Sequence, residues 1–250
     1  MLMYGSFLQD CFTKVNIIKY NKVTSTMDVA WKLLTEGLHK WTIIVAEEQY
    51  KGRGRHGRTW ASPKGGLWMS LIVDRNVIKE VPLNMYPLIA PLAVISSIDK
   101  IYNIKTHIRW PNDIVFKGKK IGGILIETSF KGNNIEGAII GIGINTNITN
   151  LPIPEADSLL RITGKKIENS RLMELIFNEL VNLINKSHRD IKEKYKARLE
   201  TLGKNVRIIT TDKRIIEDKV VDIGDNGEII LEKNREKIDY FSVIKLTYMT

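Results

Sequence analysis

The feature that most constrains the fold is an eight-residue segment, residues 51–58, in which cations and glycines alternate. This segment has almost nothing to bury, so we expect it to form a loop outside the core. Glycine lets a backbone turn sharply and approach a ligand, and the planar donor fork of arginine suits phosphate and carboxylate. On these residues alone three interpretations stay open: closure over a phosphate-bearing ligand, non-specific contact with RNA, or simple solvation.

The composition is that of a folded, basic protein. A chain of 250 residues has room for one large domain, or for one large and one small domain. Its hydrophobic fraction of 43% is enough for a true core. The formal net charge of +10 suggests anionic partners, which are nucleic acid, nucleotide phosphates or an acidic protein.

Cysteine and histidine give no sign of a disulfide or a metal centre. The single cysteine, Cys11, excludes an intramolecular disulfide and a multi-cysteine zinc site. The histidines have no metal-ligand spacing, so no residue is assigned to a metal. The first residues lack the pattern of a secretion signal, and the longest apolar run is too short to span a bilayer. We expect a cytoplasmic protein with no membrane partner.

Hydrophobic periodicity predicts a mixed arrangement of helices and strands. Ser25 and Asp28 have the spacing of a capping box, which predicts a helix that stops at Gly37. Residues 82–103 are predicted to form a long helix that Pro91 either kinks or begins. A further helix over 170–200 is predicted in two pieces, after an irregular stretch at 148–169. Strands are predicted at 15–20, 43–46, 67–73, 108–110, 114–116, 121–127 and 135–144.

The last 48 residues differ from the rest because their apolar residues alternate with period two. The sequence Asp-Asn-Gly at 225–227 is a hairpin turn signal. We therefore expect two domains, at residues 1–200 and 203–250, of which the second is a small all-β domain.

Two further segments carry polar residues suited to a ligand site. Asn112 and Asp113 follow a proline, and Lys120 lies just beyond the next turn. An Asx turn with solvated lysines would explain them without a ligand, but the two glycines that follow in an apolar strand make room for a flat group. Asn145 ends a glycine-studded strand, whose glycines suggest that another part of the molecule approaches the backbone closely. There Asn145 either reads a base or ribose edge or caps the following turn.

Taken in order, four segments resemble the biotin protein ligases. They are the basic loop before Trp60, the Trp-Pro-Asn-Asp segment at 110–113, Lys-Lys-Ile-Gly-Gly-Ile-Leu at 119–125 and Gly-Ile-Gly-Ile-Asn at 141–145. The resemblance implies an α+β (mixed α/β) catalytic domain related to class II aminoacyl-tRNA synthetases. It also implies a small SH3-like β-barrel at the C-terminus.

The activity implied by the resemblance has two steps. Biotin and ATP give biotinyl-5′-adenylate and pyrophosphate, and biotin then passes to one lysine of a biotin carboxyl carrier protein domain. Mg²⁺ is expected to arrive with ATP. We expect no nucleic-acid partner, and a homodimer stays open. No helix-turn-helix domain fits before residue 20, so the self-regulating repressor activity of some family members is expected to be absent.

The resemblance also assigns roles to individual residues. Three are expected to be catalytic, namely Lys120, Arg53 and Asp113. The expected biotin contacts are Ser25, Thr26, Met27, Gln49, Arg53, Gly54, Arg55, Lys120 and Gly123. The expected contacts to ATP or the adenylate are Arg53, Arg55, Trp60, Asn112, Lys120 and Asn145.

Chemistry accounts for the residue types at these positions. Two anions meet when the biotin carboxylate attacks the α-phosphate, and Arg53 and Lys120 would offset their repulsion. Asp113 would orient or deprotonate the acceptor lysine. The basic loop would order over the adenylate and exclude water. Two positions depart from the family pattern: Met27 stands where the family has Asn, which leaves it a backbone role, and Arg109 stands where Lys is usual.

Alternatives stay open for single residues and for the whole chain. Ser25 can act as a helix cap as well as a ligand contact, and Trp60 can be a core residue. A lipoate or octanoate–protein ligase of the same superfamily is the alternative enzyme. A nucleic-acid-binding module that uses the basic loop is the alternative from another class.

Overall fold

The structure is a computed structural model that describes residues 15–132, 134–151 and 153–249. These residues form two compact units. The first comprises residues 15–83 and 121–173, and the second comprises residues 84–120 and 174–249.

Helices and strands are numbered separately, each in chain order. The helices are α1 (Thr26–Thr35), α2 (Arg75–Glu80), α3 (Tyr86–Tyr102), α4 (Leu159–Thr163), α5 (Asn169–Ile184) and α6 (His188–Lys196). The first strands are β1 (Asn16–Val23), β2 (Thr42–Gln49), β3 (Leu67–Ile72), β4 (His107–Arg109), β5 (Asp113–Phe116), β6 (Lys119–Lys131) and β7 (Asn134–Ile144). The last strands are β8 (Asn205–Thr210), β9 (Ile215–Ile223), β10 (Ile229–Leu231), β11 (Lys237–Ile238) and β12 (Val243–Tyr248).

Five strands form the sheet of the first unit, in the order β1-β2-β3-β7-β6. Strand β1 runs parallel to β2, and the remaining neighbours in this set are antiparallel. Parallel pairing brings the ends of β1 and β2 to the same edge of the sheet, where Val23 pairs with Gln49. Helix α1 begins directly after β1, so its N-terminus lies at that edge too.

Helix α1 covers one face of this sheet. Ser25 is its N-cap, as predicted, and accepts a hydrogen bond from the Met27 N–H. The Asp28 side chain, which a capping box would turn back toward Ser25, pairs with Arg53 instead. Met27, Ala30 and Leu34 pack in a buried cluster with sheet residues. Gly37 follows the helix with φ of 94°, a left-handed conformation that glycine adopts without strain.

Helix α3 in the second unit begins four residues later than the predicted start at position 82 and continues through Pro91. Of the two alternatives for Pro91, the one in which it begins the helix is therefore wrong. The short helices α2 and α4 were not predicted, because five or six residues are too few to show a helical period. The division of 170–200 into two helices is confirmed, and Ser187 caps the second of them.

The C-terminal strands form an antiparallel sheet of their own in the second unit, in the order β11-β10-β9-β8-β12. The predicted turn between β9 and β10 is present, and Gly227 adopts a φ of 82° there. This sheet fits the expected SH3-like domain, and the mixed α/β class is confirmed. The proposed domain boundary near residue 202 stays a prediction. Within the described ranges, every helix falls short of the length and apolar character needed to cross a membrane.

Candidate active site

In the first unit, the edge where β1 and β2 end carries a compact polar network centred on Gln49. The Gln49 Oε1 atom accepts from the Thr26 N–H at 2.7 Å and from the Thr26 hydroxyl at 3.1 Å. The Ser25 Oγ atom lies 3.4 Å from the same oxygen. The structure thus brings together three residues that the sequence assigned to biotin.

The partners of this network are buried hydroxyl groups. The Gln49 Nε2 group donates to Ser62 Oγ at 2.7 Å, and Ser62 donates in turn to the Trp60 carbonyl at 3.0 Å. The Thr26 hydroxyl lies 2.8 Å from Ser70 Oγ. Because each polar atom is engaged by a neighbour, the Gln49 side chain has a fixed orientation before any ligand arrives.

Ser25 supports helix α1 as well as the network. Its Oγ atom accepts from the Met27 N–H at 3.2 Å, so Ser25→Ala should lower the free energy of unfolding by about 1 kcal/mol through loss of the cap. Urea denaturation followed by circular dichroism measures this change. Ser170→Ala is the matched control, since that serine is exposed. Equal losses in the two variants would contradict a capping role for Ser25.

The basic loop is folded back on itself. The Trp60 N–H donates to the Gly52 carbonyl at 2.9 Å, and the Gly54 N–H donates to the Arg58 carbonyl at 2.7 Å. A single 3₁₀ turn at Arg55–Gly57 forms its tip. The loop lies outside the core as predicted, but it has backbone hydrogen bonds that its composition did not reveal.

The Arg53 guanidinium sits between two carboxylates. Its Nη1 atom lies 3.0 Å from Asp28 Oδ1, and its Nη2 atom donates to Glu127. The other carboxylate oxygen of Glu127 accepts from the Trp31 indole N–H. These contacts join the loop to α1 and β6, and they orient Arg53 at the edge of the polar network. The sequence interpretation used Asp28 only as a capping residue and missed Glu127. Glu127 could have been noticed in the sequence, because it is an acidic residue that interrupts the apolar run of β6.

An open pocket of about 380 Å³ lies against the loop. Its walls come from the loop itself, from Tyr50 and from two residues of β6, Leu125 and Glu127. Arg53, Gly54 and Arg58 are among the loop residues that line it. The pocket is large enough for part of a small ligand and is surrounded by donors suited to an anion. Arg55 lies at the start of the 3₁₀ turn and is half-buried.

The glycines of β7 accommodate side chains of the protein itself. A Cβ atom on Gly137 would lie 2.5 Å from Leu34, and one on Gly141 would lie 2.7 Å from the Met27 sulfur. One on Gly143 would lie 2.8 Å from the Trp60 indole nitrogen. The predicted close approach to these glycines is therefore made by α1 and by Trp60. Met27 itself is buried, which agrees with a backbone role at that position.

The close fit between Gly143 and Trp60 leads to a testable expectation. Gly143→Ala should displace the indole and lower the free energy of unfolding by about 1–3 kcal/mol through overpacking. Urea denaturation with tryptophan fluorescence measures both effects. Thr128→Ala serves as the control, because Thr128 pairs with Ala138 in the same sheet, away from Trp60. An unchanged denaturation midpoint would contradict this expectation and would show that Trp60 moves aside without loss of stability.

Asn145 is buried and holds the segment that precedes α4. Its Nδ2 group donates to the Asp157 carbonyl at 3.1 Å, and its backbone N–H donates to the Ile121 carbonyl at 2.8 Å. The Asn145 side chain therefore has a structural partner in the segment before α4, and its expected contact with the adenylate stays a prediction. Gly123 lies in β6, where it pairs with Gly143.

The second unit carries the other group of predicted residues, around β4 and β5. Lys120 Nζ lies 2.6 Å from Asp113 Oδ1, and both side chains are about one quarter exposed, at 28% and 24%. Asn112 precedes Asp113 in the turn that contains the cis peptide bond between Trp110 and Pro111. The ion pair means that Lys120 is not a freely solvated hairpin lysine, which was the alternative that its position in the sequence left open.

Comparisons with known proteins give the chain its relationships. The sequence profile of the Biotin/lipoate A/B protein ligase family matches residues 20–145. The Bifunctional ligase/repressor BirA of Bacillus subtilis is 33% identical over 236 residues, which cover 88% of this chain and 70% of that protein. The Biotin–[acetyl-CoA-carboxylase] ligase of Mycobacterium tuberculosis is 29% identical over 76% of this chain and 73% of its own length.

Solved structures agree with the sequence comparison. The biotin protein ligase from Aquifex aeolicus in complex with biotin and ATP superposes with a TM-score of 0.81 at 28% identity. The match covers 94% of this chain and 99% of that chain. These matches place the protein among the enzymes that attach small acids to other proteins. It belongs to the biotin/lipoate A/B protein ligase family.

Proposed function

We propose that this protein is a biotin–protein ligase that activates biotin with ATP and transfers it to a lysine of a carrier domain. The observation that carries the proposal is the basic glycine loop, folded against the network of Ser25, Thr26 and Gln49. Relatives support the choice of biotin within the family. The M. tuberculosis and Paracoccus denitrificans proteins are named as biotin ligases of acetyl-CoA carboxylase, and a Leishmania major ligase was solved with biotinyl-5-AMP.

In the first step, a carboxylate oxygen of biotin attacks the α-phosphorus of ATP. A new O–P bond forms, and pyrophosphate leaves with the electrons of the bond that breaks. Two anions approach each other, so fixed cations aimed at the phosphoryl oxygens lower the barrier. Arg53 and Lys120 are the residues that we assign to this role. Arg53 is already oriented by Asp28 and Glu127, and Lys120 is oriented by Asp113.

In the second step, a neutral lysine amine of the carrier attacks the acyl carbon of the mixed anhydride. The C–N bond forms, AMP leaves with the electrons of the C–O bond, and the amine gives up a proton. We assign Asp113 to receive that proton or to orient the amine. The mixed anhydride reacts readily with water, so the basic loop would shield it until the carrier arrives.

The remaining partners follow from this chemistry. Mg²⁺ would enter with ATP, bound by phosphate oxygens and water, a mode that needs no dedicated protein cage. In the part of the chain that the structure describes, no three His, Cys, Asp or Glu side chains converge as a metal site would require. The acceptor is the biotin carboxyl carrier domain of an acetyl-CoA carboxylase, and the cytoplasmic location expected from the sequence suits an enzyme that consumes ATP.

A single assay tests the proposed function. The full chain is incubated with labelled biotin, ATP, Mg²⁺ and a biotin carboxyl carrier domain, and label is counted on the carrier. We expect label that depends on ATP and on the acceptor lysine. Parallel calorimetry with biotin and lipoate separates the two branches of the family. Tighter binding of lipoate, together with lipoate transfer, would overturn the choice of biotin.

A further inference from the structure

The Arg109 side chain spans the strand hairpin that holds Asp113 and Lys120. In the antiparallel register of β4 and β5, the backbone of Arg109 lies opposite that of Asp113. Its Nη2 atom donates to the Gly118 carbonyl at 2.8 Å. Gly118 lies in the turn two residues before Lys120, with φ of 77°. The Arg109 guanidinium thus ties β4, which lies opposite Asp113, to the turn that precedes Lys120.

Two residues from distant parts of the chain hold this guanidinium. Arg109 Nε donates to Glu200 Oε2 at 2.9 Å, and the Tyr248 hydroxyl donates to the same oxygen at 3.0 Å. The Arg109 Cζ atom also lies 5.1 Å from the centre of the Tyr248 ring, within the range of a cation–π contact. The Arg109 and Glu200 side chains are only 24% and 22% exposed, so solvent screens their attraction less than at a free surface.

Electrostatics keep Arg109 charged and the Tyr248 hydroxyl protonated, as their hydrogen bonds require. Burial alone would lower the pKa of Arg109, but its hydrogen bond to Glu200 and the charge of that carboxylate outweigh burial, so the pKa lies above its usual value. Burial is also the main cause that raises the pKa of Tyr248 to about 12. The Tyr248 hydroxyl therefore remains a donor to Glu200 at any pH at which the enzyme would work.

Backbone hydrogen bonds fix the same cluster in place. The Glu200 N–H donates to the Ile108 carbonyl at 2.8 Å, directly beside Arg109. The Trp110 N–H donates to Thr201 Oγ1 at 3.0 Å, and that oxygen lies 3.1 Å from the Tyr248 hydroxyl. Backbone and side-chain hydrogen bonds together therefore hold the hairpin beside Glu200, Thr201 and Tyr248.

We propose that Glu200 and Tyr248 are positioning residues for Lys120 and that they act through Arg109. The inference rests on the proposed function, in which Lys120 stabilises charge at the α-phosphate. It also accounts for arginine where the family usually has lysine. A single ammonium lacks the planar fork that reaches Glu200 and the Gly118 carbonyl together.

The test uses Tyr248→Phe, which keeps the ring under Arg109, and Glu200→Gln, which removes the charge. Biotin-dependent pyrophosphate exchange gives kcat and the KM for biotin, and thermal unfolding reports folding. We expect kcat to fall about tenfold to a hundredfold from a small displacement of Lys120. The fall in kcat should exceed any rise in the KM for biotin, because the proposed role of Lys120 is to stabilise charge that develops in the transition state. Adding Arg109→Lys to Glu200→Gln should cause little further loss of kcat, because both substitutions break the same hydrogen-bonded cluster of Arg109, Glu200 and Tyr248.

Glu179→Gln is the matched control. Glu179 forms a partly buried ion pair with Lys100 at 2.8 Å in the same unit, away from Arg109. An unchanged kcat in both test variants would overturn the inference, and so would a loss that only follows the unfolded fraction. Full additivity with Arg109→Lys would overturn the coupling through Arg109. If the wild-type chain lacks biotin-dependent exchange, the proposed function fails and this inference with it. If the wild type is active, the variants test the inference alone.

Discussion

Replacing Lys120 with alanine is expected to slow adenylate formation about a hundredfold or more, which is the loss seen when one charge-stabilising donor is removed. The ammonium of Lys120 is held 2.6 Å from Asp113, so its position costs no reorganisation during the reaction. Removing it also leaves the half-buried Asp113 carboxylate without its cation. Biotin-dependent exchange of labelled pyrophosphate into ATP measures the first step directly. The second step is measured separately with preformed biotinyl-adenylate and carrier domain.

Lys119→Ala is the control for this prediction. Lys119 is the preceding residue of β6 and is exposed, so its loss removes an equal charge without touching the pair with Asp113. Its exchange rate should stay within about twofold of wild type, since surface charges contribute little. If Lys120→Ala exchanges pyrophosphate as fast as Lys119→Ala does, Lys120 has no part in the first step.

Replacing Arg53 with alanine is expected to affect how long the enzyme retains its intermediate. Arg53 is the contact through which the basic loop is joined to Asp28 and Glu127. Without it the loop loses a charged anchor, and the carboxylates of Asp28 and Glu127 lose their cation. Glu127 lines the pocket, where its uncompensated charge would repel the adenylate. The variant should release or hydrolyse biotinyl-adenylate at least tenfold faster than wild type. Rapid gel filtration after incubation with labelled biotin and ATP, with no acceptor present, separates bound from free intermediate.

Arg75→Ala provides the control, because Arg75 is an exposed arginine at the start of α2 in the same unit. It should retain the adenylate as wild type does. Equal retention by the Arg53 and Arg75 variants would remove the shielding role from the loop. Faster release with an unchanged exchange rate would instead separate that shielding role from charge stabilisation.

Local features of the site could be predicted from the sequence. Ser25 as the cap of α1, the exposed basic loop and the turn before β10 each depend on residues close together in the chain. Such features follow from short-range chemistry, in which side-chain oxygens cap helices and glycine adopts left-handed turns. The resemblance to biotin protein ligases added the roles, and the comparisons confirm the family.

The partners of the key cations could not be predicted in this way. Arg53 pairs with Glu127, which is 74 residues away, and Arg109 pairs with Glu200, which is 91 residues away. No periodicity or spacing rule links positions so far apart. They come together only when the strands pair and distant segments of the chain pack side by side. The glycines of β7 show the same limit. Their spacing indicated a close approach, but only the fold shows that Leu34, Met27 and Trp60 make it.

The hydrogen bond from the Trp110 indole to the Gly227 carbonyl, at 3.0 Å, has a consequence for engineering this protein. Trp110 is almost fully buried, and its partner is the turn between β9 and β10. A truncated enzyme that ends near residue 202 would exchange this internal hydrogen bond for one to water, at a net cost of about 0.5–1.5 kcal/mol. It would also expose the Trp110 indole, which directly precedes Pro111, Asn112 and Asp113 in the chain. When C-terminal sheets are exchanged between related ligases, the β9–β10 turn moves with the sheet and residue 110 stays behind. Such an exchange should therefore change catalysis unless residue 110 is exchanged as well.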